Sequence, residues 1–122
     1  MALDSRLHLK QTDYFIRQRP VEITVERRRR EADGRGGWHY VDPPLSLPPQ
    51  TVRKVGSFRI GSTVERITAD GAVVVPSNAV IAYPDADIKR FDKFVIDDVV
   101  HEVVFVQILP EWRLQAEVYE EL

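Results

Sequence analysis

Residues 94–106 read Phe94-Val95-Ile96-Asp97-Asp98-Val99-Val100-His101-Glu102-Val103-Val104-Phe105-Val106. Two runs rich in β-branched and aromatic residues flank a pair of aspartates, which predicts a tight two-residue turn between antiparallel strands. Downstream, Pro110 breaks the second strand and Trp112 to Tyr119 alternates. Trp112, Leu114, Ala116 and Val118 share one face, with Arg113, Gln115, Glu117 and Tyr119 on the other. Upstream, Ile88 to Lys93 leads into the pair, Pro84-Asp85-Ala86-Asp87 turns, and Val80 to Tyr83 is strand. Before that, Val64 to Thr68 alternates, Asp70-Gly71 signals a hairpin, and Ala72 to Val75 returns, with Pro76 at a bulge or strand edge. Thr51 to Val55 and Ser57 to Ile60 are strand pieces broken by Gly56, and Val21 to Arg29 alternates from its first residue. Short strands with Gly, Pro and Asp turns and little helix predict an all-β fold, a small β-barrel or sandwich.

Two segments stand apart from the strands. In residues 1–20, Thr12 or Asp13 caps a short helix through about Gln18, stopped by Pro20, or the segment is an arm. Residues 31–53 read as a long projecting loop. Asp33-Gly34-Arg35-Gly36-Gly37 forms a turn, Trp38, Tyr40 and Val41 interrupt it, and Pro43, Pro44, Pro48 and Pro49 mark an extended connection. A loop longer than about 12–15 residues in so small a domain either has a job or is disordered. The loop is either a partner-contact arm or a flap over one end of the barrel, with Trp38 as its plug.

At 122 residues and 43% hydrophobic, the chain reads as one domain, 1–122, around one core. No run of about 18 apolar residues predicts a membrane-spanning helix, and Met1 to Arg6 lacks the basic-then-apolar order of a secretory signal. With no cysteine, disulfide frameworks, thiolate zinc sites and thiol catalysis are excluded. The net charge of −2 hides an asymmetry: Met1 to Arg66 carries +5 and Ile67 to Leu122 carries −7. Either the domain has a basic and an acidic face, suited to contacts between copies, or the halves interleave and the charges mix.

Chemistry-bearing patterns are few. His8, His39 and His101 form neither HxH nor HExxH, so no metal site is expected. His101, alternating on a strand, reads as an exposed or hydrogen-bonded surface residue. The aspartates at 85, 87, 97 and 98 lack the rest of a calcium loop and suit turns. No Gly-x-Ser-x-Gly or GxGxxG context exists, and neither an enzyme nor a bound cofactor is expected. The run Arg27-Arg28-Arg29-Arg30 is either a solvated strand end or a contact for DNA phosphate or an acidic neighbour.

The stretch from Asp33 to Val41, the proline pairs, and Pro48-Pro49-Gln50-Thr51-Val52-Arg53 resemble the long loop of head-to-tail stopper proteins of tailed bacteriophages, closest to those of actinobacterial phages. Pro84 to Val104 is similar to the turn, strand and hairpin of head–tail joining β-barrel proteins. The resemblance covers about residues 13–120. This chain departs from the family's usual glycine at two places, with Asp97-Asp98 for Asp-Gly and with Arg90-Phe91 in the preceding turn. The resemblance implies a virion structural protein that forms a ring below the portal and adaptor, closes the filled head and offers the tail its docking surface. Implied partners are copies of itself, the portal or adaptor above, a tail terminator or tail-completion protein below, and packaged DNA in the channel. The implied location is the virion neck, after assembly from the host cytoplasm, with no membrane. Its interaction loop would present Arg35, Trp38, Tyr40, Pro43, Pro44, Pro48, Pro49 and Arg53. Alternatives are a tail-completion or adaptor protein of the neck, or a small β-barrel that binds nucleic acid through the arginine run and the loop aromatics.

Overall fold

The computed structural model describes residues 3–56, 65–76 and 78–121; the strand pieces expected at Ser57 to Ile60 and the start of that at Val64 lie outside them. The chain runs through α1 (Leu3–Gln18), β1 (Val21–Ile23), β2 (Glu26–Ala32), β3 (Trp38–Ser46), β4 (Gln50–Gly56), β5 (Arg66–Ile67) and β6 (Val73–Val74). It continues with β7 (Asn78–Ala82), β8 (Lys93–Ile96), β9 (Val99–Leu109) and β10 (Arg113–Glu121). Eight strands form one antiparallel sheet in the order β1-β4-β7-β10-β9-β8-β2-β3, with β5 and β6 a separate two-stranded ribbon. The fold is thus all-β, a curled, barrel-like sheet with an N-terminal helix.

The long loop expected across 31–53 is instead mostly strand. Residues 21–32 pair with residues 38–52 as one extended hairpin: Val21 opposes Val52, Ile23 opposes Gln50, Glu26 opposes Ser46 and Ala32 opposes Trp38. Only 33–37 remain as the tip. There the Asp33 carboxylate accepts from the Arg35 and Gly37 amides at 2.7 and 3.0 Å, while Gly34 and Gly36 take φ of 79° and 85°. Prolines survive in this ladder because both pairs fall where it bulges. Asp42-Pro43-Pro44 bulge opposite Arg28, and Leu47-Pro48-Pro49 opposite Thr24-Val25. A residue without an N–H costs nothing where no ladder bond is made. Arg29 satisfies the first bulge, donating to the Pro43 and Asp42 carbonyls at 2.8 and 3.2 Å. The second bulge divides the hairpin. Its base, β1–β4, forms one end of the strand order, and its distal part, β2–β3, the other. Beyond Glu26, which opposes Lys93 of β8, β2 pairs among the described residues only with β3, so the distal ribbon stands off the sheet.

The core lies inside the curl. Ile23, Val25, Val52, Val80, Phe94, Val103 and the β10 face Leu114, Ala116 and Val118 are all buried there, as the alternation of β10 predicts. The turn between β8 and β9 is the expected one, with Asp97 and Asp98 both left-handed at φ of 52° and 64°. The Asp70-Gly71 hairpin also forms, joining β5 to β6. Trp112 departs from expectation: it sits in the turn before β10, half-buried, with its ring 4.5 Å from that of His8.

His101 is fully buried, contrary to the surface position expected from alternation. Its Nδ1 lies 2.8 Å from the Val99 carbonyl and its ring stacks on Phe94. Both faces of central β9 and β10 are covered, which also buries Glu102 and Glu117. Those carboxylates anchor the β5–β6 ribbon: Glu102 accepts from the Ala69 amide at 2.8 Å, and Glu117 from Arg66 at 3.0 Å.

The helix is longer than the short one expected within 1–20, running 16 residues. Its inward face is His8, Thr12 and Ile16, spaced i, i+4, i+8, and only Ile16 is strongly apolar. Arg53 of β4 fixes the helix end. Its guanidinium lies 3.9 Å from the Phe15 ring centroid and donates to the Phe15 carbonyl at 3.1 Å and to Gln18 at 3.2 Å. Tyr83 donates its hydroxyl to Asp13 at 2.7 Å, and burial together with that bond raises its pKa. No helix among the described residues is long and apolar enough to cross a membrane.

Candidate functional site: a basic, aromatic-lined groove

Strand alternation divides the four arginines of β2 between two faces. Arg28 and Arg30 share a face with Tyr40 and Trp38 of β3, because Arg30 opposes Tyr40 and Ala32 opposes Trp38. Their guanidinium carbons lie over those rings, Arg28 at 4.9 Å from the Tyr40 centroid and Arg30 at 5.5 Å from that of Trp38. Trp38 is 64% exposed and Tyr40 54%.

Arg27 and Arg29 serve the fold instead. Arg27 grips Asp92, which is 2% exposed, through Nε at 3.0 Å and a terminal nitrogen at 2.8 Å, and also donates to Asp87 at 2.9 Å. These bonds, that to Asp92 foremost, raise the Arg27 pKa further despite its burial, and the Arg27 bond lowers that of Asp87. Asp92 also accepts from the Lys89 amide at 2.7 Å, so Arg27 ties β2 to the turn before β8.

That turn supplies the opposite wall. Arg28, Arg30 and Tyr40 on one side and Lys89, Arg90 and Phe91 on the other line a concavity of about 330 Å³, with the Arg27–Asp92 pair between them. A second hollow of similar size adjoins it, sharing Arg28, Tyr40 and Phe91 and extending to Pro44 and Lys93. Phe91 takes φ of 74°, where a side chain is unfavourable. Its amide donates to the Val103 carbonyl at 2.7 Å, which holds the turn in place. The Arg90 guanidinium lies 4.6 Å from the Phe91 ring centroid. With Asp92 taken by Arg27, the groove is lined by four further cations, Arg28, Arg30, Lys89 and Arg90; Glu26 and Asp42 line the adjoining hollow, and exposed Asp70 lies 3.4 Å from Arg28.

The expected interaction residues therefore separate. Trp38 and Tyr40 lie on the exposed ribbon, Arg35 at its tip, and Pro43 and Pro44 in its bulge. Pro48 and Pro49 lie between β3 and β4 at the base, and Arg53 belongs to the helix clamp. Lys89, Arg90 and Phe91 join the site from about sixty residues downstream of the arginine run. Their basic–basic–aromatic sequence was a local signal, but nothing in it pointed to β2. Among the described residues, no three His, Asp or Glu side chains are grouped to hold a metal.

The fold and groove define a curled β-domain with a basic, aromatic-lined concavity at the root of a projecting hairpin. No protein-family model matches the chain, and no curated protein matches it.

Proposed function

We propose that the chain is a structural protein of a tailed-phage neck, a head-to-tail stopper that forms a ring below the portal and adaptor, closes the filled head and gives the tail its docking surface. The observation that carries this reading is the β2–β3 ribbon, which stands off the curled sheet and exposes Trp38, Tyr40 and Leu45. A two-stranded ribbon with aromatic anchors loses little conformational entropy on docking, which suits it to contacts with neighbouring subunits. The sequence resemblance of this ribbon to stopper loops supports the same role.

The test is assembly. Purified chain added to portal–adaptor complexes should add a ring visible by electron microscopy, and Trp38→Ser with Tyr40→Ser should weaken its addition without unfolding the domain. If particles made without the chain still kept their DNA and joined tails, the proposal would be wrong.

A further inference from the structure

We infer that the groove between β2–β3 and the 89–92 turn is a binding site for the phosphodiester backbone of single-stranded nucleic acid. The inference stands on the groove's chemistry and not on the neck reading. Arg28, Arg30, Lys89 and Arg90 surround a hollow of about 330 Å³, within the size range of small-ligand sites. In a chain of net charge −2 that concentration is local and not a reflection of bulk charge.

Cations alone would suit any anion, carboxylates included. The rings distinguish nucleic acid, because Tyr40 and Phe91 stand on opposite walls beside the cations. Charged groups that follow a backbone, with rings on which bases stack, are what single strands require. Phe91 adds a second argument. A bulky side chain at φ of 74° opposes the backbone preference at that position, where glycine would be favoured, so the ring sits there at a local cost. It lines both hollows.

The experiment is fluorescence anisotropy of the full chain with a short labelled oligothymidylate, and separately with a duplex of equal length. Micromolar binding of the single strand is expected, tighter than that of the duplex. Four phosphate contacts give a salt slope near −3, or about a 50-fold loss between about 50 and 200 mM salt. Arg30→Glu with Lys89→Glu and Arg90→Glu should weaken binding at least about tenfold. Arg6→Glu with Lys10→Glu and Arg19→Glu makes the same charge change at exposed positions of α1 and its end, and should weaken it far less. Circular dichroism melting of both variants establishes that they are folded. Equal weakening by the two triple variants, tighter binding of the duplex, competition by polyglutamate as effective as by unlabelled strand, or no binding would each overturn the inference. Ring addition to portal–adaptor complexes is scored without DNA, so failure here and failure of the neck reading are separable.

Discussion

Replacing Arg27 with methionine removes the cation from a carboxylate that has almost no access to water. Asp92 is 2% exposed, and its two oxygens accept from Arg27 at 3.0 and 2.8 Å, leaving the Lys89 amide as its remaining donor among the described residues. Breaking a buried pair costs about 3–5 kcal/mol, because the surviving charge stays buried without its partner. Arg27 is itself 20% exposed at the side chain, so water reaches part of the vacated site and about 3 kcal/mol is expected. For a domain of this size that lowers Tm by roughly 10 °C. Urea denaturation of the wild type, Arg27→Met, Asp92→Asn and the double variant should give a coupling energy of about 2–3 kcal/mol. Arg27→Lys should recover only part of the loss, since one ammonium cannot reproduce the two-pronged contact. A cost below about 1 kcal/mol for Arg27→Met, with unchanged m-value, would refute the view that this pair locks β2 to the groove's far wall.

Three further outcomes are expected. Ile16→Ala empties a fully buried apolar position of α1 and should cost about 2–4 kcal/mol by denaturant unfolding; a loss under 1 kcal/mol would mean that α1 is not docked. Phe91→Gly relieves a left-handed backbone while losing a half-buried ring, so stability should change by less than about 1 kcal/mol while oligonucleotide binding weakens; a large destabilisation would identify the ring as structural. Glu120 has its pKa lowered, chiefly by the 2.6 Å bond from Lys54. A depressed carboxylate contributes stability that is fully present above its ordinary value of 4.5 and is lost as pH falls through the lowered folded value. Lys54→Met should therefore flatten the acid limb of the stability profile, and an unchanged limb would show that the pair contributes nothing there.

The strands around the aspartate turn were legible because their signals are local. The shared core face of Leu114, Ala116 and Val118 follows from the pleat, and Asp70-Gly71 follows from turn chemistry. The helix was only half legible, since its docking face uses His8 and Thr12, which no hydrophobic period reveals. The proline-rich stretch was misread for a related reason. A proline excludes an inner ladder position but not a bulge, and bulges depend on which residue lies opposite.

The sequence by itself thus determined the fold class, the principal turns and the aromatic and basic character of the ribbon, all properties of neighbouring residues. Only the tertiary structure decided which arginines remain available. Arg27 is taken by Asp92 and Asp87, and Arg29 by the carbonyls of its own bulge. Arg28 and Arg30 meet Lys89, Arg90 and Phe91 because the hairpin's distal part crosses to β8 while its base stays with β4. That meeting depends on β2 reaching β8, through Glu26 opposite Lys93 and Arg27 on Asp92, a long-range pairing to which no local pattern is sensitive.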